Sequence, residues 1–199
     1  MSGSERLEGG EPPRRAERAE VVPSPSPELE RALELARSLA AGGQGAEAVE
    51  AYRELLAEQP EQLDALVELG ATLLAAGKYD LAEKELRRAV RLAPRRSDAY
   101  YNLGLALHRR GNNEGAVELL ERAVELDPEY GPAYQLLGES LNQLSRPEEA
   151  IVALEEAARL MPGNGRAYQV MGIAYDRLAE PERAAEMYRK SRELEERAL

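Results

Sequence analysis

A proline returns every 34 residues, at Pro60, Pro94, Pro128 and Pro162. Self-similarity at one fixed period commits a chain to a stack of like units, because each unit buries its apolar face on the next. Ala48, Ala82, Ala116, Ala150 and Ala184 make a second ladder in the same frame, and Gly70, Gly104, Gly138 and Gly172 a third, with no insertion or deletion. The frame gives repeats 29–62, 63–96, 97–130, 131–164 and 165–198, which cover 170 of the 199 residues.

Each repeat reads as two short helices. Leucine, tyrosine and glycine fall at repeat positions 4, 7, 8 and 11 of the first, the i, i+3, i+4, i+7 spacing of one helical face. Glycine inside a helix costs about 0.8–1 kcal/mol against alanine, so its recurrence at position 8 requires a close crossing with the partner helix. The alanine ladder at position 20 clears the same crossing. Gly43, Gly77 and Gly111 stand where the first helix of repeats one to three should stop, as left-handed residues past the helix end. Repeats four and five lack that glycine and carry Pro147 and Pro181 two residues on, where proline suits the first position of a new helix. The ladder prolines end each second helix, since proline cannot continue the hydrogen-bond pattern and restricts the residue before it.

These residues resemble the tetratricopeptide repeat, whose pattern is a large residue, Leu-Gly, an aromatic, Ala, an aromatic and a closing Pro. Position 4 is Leu66, Tyr100, Tyr134 and Tyr168, and the Leu-Gly pair reads Leu69-Gly70, Leu103-Gly104, Leu137-Gly138 and Met171-Gly172. The first repeat departs, with Ala32 and Leu35-Ala36, and the fifth ends in Glu196 where proline is expected. Deviant ends are what a finite stack shows. The resemblance implies an all-α fold, a right-handed α-solenoid of about ten antiparallel helices.

Residues 1–28 differ in kind. Five prolines are interspersed with Gly, Arg and Glu, and Val21-Val22 is the one adjacent apolar pair, so a disordered tail is expected before a repeat domain over 29–199. The Ser24-Pro25-Ser26-Pro27 stretch reads as an extended spacer ahead of a ligand for a proline-reading domain. The tail has neither the apolar core of a secretory signal nor the acid-poor composition of a transit peptide, and no apolar run is long enough to cross a bilayer. A cytoplasmic protein without membrane insertion is expected, and the preference for Arg over Lys points to a GC-rich bacterial genome.

The net charge of −11 opposes nucleic-acid binding, which needs a basic surface to meet phosphate. Repeat two alone is basic, through Lys84, Arg87, Arg88, Arg91, Arg95 and Arg96, and reads as a solvated face with local ion pairs before an anion-binding patch. Nothing in the chain points to catalysis. Cysteine is absent, the single histidine, His108, has no nucleophile to activate, no phosphate-cradling glycine motif appears, and one histidine among scattered carboxylates supplies no metal site. No cofactor is implied.

Two function classes remain: an adaptor holding a peptide or helix of a partner protein, and a homo-oligomeric scaffold assembling through the solenoid ends, with a monomeric adaptor as the leading expectation. Ser191 and Arg192 replace apolar residues of the earlier repeats, so the C-terminal end looks self-capped. The N-terminal end, with Ala32, Leu33, Ala36 and Ala40, looks barer. For the adaptor, the resemblance implies that positions 2, 5, 9, 12 and 13 of the first helices face a concave groove. These are Val67, Ala71 and Leu74 in repeat two, Tyr101, Leu105, His108 and Arg109 in repeat three, Gln135, Glu139, Asn142 and Gln143 in repeat four, and Arg166, Gln169, Ile173 and Arg177 in repeat five. The groove is expected to centre on repeat three. The Lys and Asn arrangement with which the chaperone-binding branch of the family grips a carboxylate does not occur, since Val67 and Ala71 stand at two of its places.

Overall fold

The computed structural model describes residues 27–197. Among these there are ten helices and no strand: α1 (Pro27–Ala41), α2 (Gly45–Glu58), α3 (Leu63–Ala75), α4 (Tyr79–Leu92), α5 (Ser97–Arg109), α6 (Asn113–Leu126), α7 (Gly131–Gln143), α8 (Pro147–Leu160), α9 (Gly165–Arg177) and α10 (Pro181–Arg197). The disordered tail expected over 1–28 lies outside the described residues except for Pro27 and Glu28, which form the first turn of α1.

The helix ends follow the local chemistry. Gly43, Gly77 and Gly111 adopt φ of 78°, 70° and 80°. In repeats four and five the same turn is made by Ser145 and Ala179, both at φ 58°, so the left-handed position persists where the glycine does not. Pro147 and Pro181 open α8 and α10. Gln59, Ala93, Asp127 and Met161, each directly before a ladder proline, are driven out of the helical region to φ between −129° and −138°.

Each glycine of the ladder lies against the partner helix, and the contact is with position 24. A Cβ on Gly104 would come within 2.9 Å of Leu120 Cγ, and one on Gly172 within 2.5 Å of Tyr188 Cε1. Gly70 and Gly138 are tighter still against Leu86 and Leu154. The alanines of position 20 are all buried at the same crossing.

Every helix packs on its sequence neighbour, and each first helix also touches the first helix of the next repeat, while no second helix reaches the next second helix. The stack therefore curves, with α1, α3, α5, α7 and α9 on its inner side. Polar ties cross the repeats as well. Arg37 donates twice to Glu68, which also accepts from Tyr52 Oη at 3.0 Å. Glu83, 6% exposed, is gripped by Arg87 and Arg110.

Candidate protein-interaction groove

The side chains at positions 5, 9, 12 and 13 of the first helices fall into two halves. Across repeats one to three the lining is small and apolar. Ala40, Gly43, Gly45, Ala71, Thr72, Ala75 and Ala76 line a cavity of about 490 Å³, and Ala71, Leu74, Ala75, Asn102, Leu105 and Arg109 an adjoining one of about 270 Å³. Ala71 and Ala75 belong to both, so the two form one continuous shelf. Ala40, Thr72, Ala75 and Ala76 are not named among the residues read from the sequence as groove-forming, although Ala40 and Ala75 stand at positions 12 and 13 of repeats one and two. Val67 does not belong to the shelf, since it is 4% exposed and packs in the core.

Across repeats four and five the lining is polar and already hydrogen-bonded within itself. Gln135 Nε2 donates to Glu139 Oε1 at 3.0 Å, and Gln135 Oε1 accepts from Asn164 Nδ2. Arg166 joins the chain through Nε to Glu139 Oε1 (3.0 Å) and Nη1 to Gln169 Oε1 (2.9 Å). Arg177 Nη1 donates to the backbone carbonyl of Asn142. The Asn142 side chain is only 6% exposed, so it stands under the groove surface and is not presented in it. Gln143 and Ile173 are exposed.

Repeat three lies between the halves. Tyr101 is half-buried, its ring tilted on Tyr130 with centroids 5.0 Å apart. Burial pushes its phenol up, and pushes Tyr130 up to about 12. Part of Tyr101 is thus packing, whereas Leu105 keeps its side open to the shelf. His108 Nδ1 lies 2.9 Å from Ser140 Oγ in the next repeat. Burial lowers the His108 pKa, with Glu139 opposing that shift. Arg109 is exposed and has neither an ion pair nor a hydrogen bond among the described residues. It is a cation at the rim of an apolar surface, adjoining Leu105 and Asn102.

The basic face of repeat two is largely neutralised. Arg87 meets Glu83, Arg88 meets Glu85, and Arg96 bridges Asp64 (2.5 Å) and Asp98 (2.8 Å). Among the described residues no helix is long and apolar enough to cross a membrane.

The tetratricopeptide repeat model matches residues 33–85, 69–131 and 112–167. Two crystal structures of MamA are similar to this chain: one at 30% identity over 82% of this chain and 95% of that one, the other at 29% over 84% and 92%, both with a TM-score of 0.76. MamA 41-end from Desulfovibrio magneticus RS-1 shares 25% identity over 85% of this chain and 96% of its own, with a TM-score of 0.78. No curated protein sequence matches the chain. Helix pairs at the family's period, glycine at their crossings and a family match over most of the length together make this chain a member of the tetratricopeptide repeat family, a protein–protein interaction or scaffold module.

Proposed function

We propose that the chain is a non-catalytic adaptor that holds a peptide or helix of another protein in its concave groove. The observation that carries this reading is the continuous apolar shelf of Ala40, Ala71, Leu74, Ala75 and Leu105 on the inner helices, open to solvent beside an unpaired Arg109. Isolated exposed apolar residues need no explanation, but a contiguous concave patch marks a binding surface. The acidic balance supports a protein partner over nucleic acid. Leu105 and Arg109 are the principal contacts, with Tyr101 and Gln143 at the edge.

Affinity capture from native lysate, run beside a light-scattering mass, tests it. The parent and an outer-face control, Glu118→Lys, should retain one dominant partner, and the double variant Leu105→Lys, Arg109→Glu should lose it while its far-ultraviolet spectrum and melt stay unchanged. Capture of the same partner by the double variant sinks the groove assignment. The scaffold alternative rests on Leu35, 58% exposed on α1 at the end of the stack. A concentration-dependent dimer abolished by Leu35→Asp would favour it.

A further inference from the structure

Resting on the groove reading above, we propose that the occupant is an amphipathic α-helix of about four turns, seated on repeats one to three, with an acidic residue where it meets Arg109. The polar inventory of the shelf selects the helix. A strand or extended peptide leaves its backbone N–H and C=O groups to be satisfied by whatever covers them, and a buried backbone group without a partner is costly. The shelf has little to offer such a backbone. Its alanines and leucines carry no polar side-chain atoms, and the Thr72 hydroxyl already donates to the Glu68 carbonyl at 2.8 Å. Among its lining side chains only Asn102 and Arg109 have uncommitted donors, and Thr72 Oγ1 keeps acceptor capacity alone. A helix satisfies its backbone internally and needs from the groove only apolar surface, and a floor of alanines lets it approach closely.

Length follows from spacing. Packed helices stand about 8–10 Å apart, so α1, α3 and α5 span about 20 Å between first and last axis. A helix rising 1.5 Å per residue covers that in about 13 residues, close to four turns. The charge follows from what is left over. In repeats four and five the groove cations Arg166 and Arg177 are already engaged, by Glu139, Gln169 and the Asn142 carbonyl. Arg109 alone of the inner-face arginines from repeat three onward is without a partner among the described residues, and it marks the end of the shelf at which an acid is favoured.

The test is selection of a displayed library of random 16-residue peptides on the full chain. Enriched peptides should carry apolar residues at i, i+3 or i+4 and i+7 with an acid towards one end, and should gain helical ellipticity when bound. Ala75→Trp, which fills the shelf from an exposed position, should weaken them about tenfold or more. Arg109→Glu should exchange the preferred acid for a base, a gain that misfolding cannot imitate, and the outer-face change Glu118→Lys should alter nothing. Enrichment of proline-rich or extended peptides, or an acid preference that survives Arg109→Glu, overturns the helix proposal while leaving groove binding intact. Binding indifferent to both Ala75→Trp and Arg109→Glu overturns both readings.

Discussion

Ser140 Oγ lies 2.8 Å from the carbonyl of Leu136 on its own helix and 2.9 Å from Nδ1 of His108 in the preceding repeat. The single histidine of the chain is thus a tie between repeats three and four. Its ring is half-buried, with Arg109 on its own helix and Glu139 and Arg166 on α7 and α9 acting on its charge.

Acid should cost the fold stability, because it charges a half-buried ring. Burial holds the folded pKa of His108 below its ordinary value of about 6.5, so the unfolded chain takes up the proton first. The contribution is therefore complete above about pH 6.5 and is lost as pH falls through the depressed folded pKa. Thermal melts at pH 7.5 and 5.0 should differ more for the parent than for His108→Gln. Equal differences would show that His108 titrates as though free.

Glycine at the two irregular turns should stabilise the protein. Ser145 and Ala179 hold φ 58° where the first three repeats use glycine. A left-handed non-glycine residue costs about 1–2 kcal/mol, offset in part by the extra unfolded-state entropy of glycine. Both residues are exposed, so no packing is lost. Ser145→Gly and Ala179→Gly should each add up to about 1 kcal/mol, or about 2–4 °C in Tm, and Gly111→Ala should cost a similar amount. A fall in Tm for either glycine variant would contradict the backbone argument.

Filling the glycine ladder should destabilise despite better helix propensity. A Cβ on Gly138 meets Leu154 and also the Ala150 carbonyl at 3.1 Å, whereas on Gly104 the corresponding Ala116 carbonyl is 3.5 Å away. Gly138→Ala should therefore cost about 1–3 kcal/mol and more than Gly104→Ala, and Gly104→Leu should overpack its crossing outright. In the Gly138→Ala background, Leu154→Ala should cost less than the ~2–5 kcal/mol expected of it alone. Additive losses across that cycle would show that the two side chains do not compete for one space.

Removing the last repeat should cost solubility. Ser191 is buried with its hydroxyl towards Glu195 (3.4 Å), and Arg192, Glu193, Glu195 and Glu196 cover the end of the stack. Deleting 165–199 uncovers α8, whose Ala153, Ala157 and Ala158 are buried in the full chain. Light scattering should report self-association of the shortened chain. A monomer as soluble as the parent would end the capping argument.

Period, helix count and helix ends were legible in the sequence because they depend on interactions within a few residues: the φ that glycine allows at Gly43, the N–H that Pro147 lacks, the clash Pro128 imposes on Asp127. The crowding behind Gly104 was legible too, though its partner proved to be Leu120 rather than the alanine ladder alone. The groove was legible only as a set of inner-face positions. Which of those side chains are free depends on partners about 30 residues away, at the far end of the same repeat for Gln135 with Asn164 and in the adjacent repeat for Arg166 with Glu139 and Arg177 with the Asn142 carbonyl. Those pairings depend on the spacing and rotation between repeats, which no local preference encodes, and they leave Arg109 unpaired while burying Asn142.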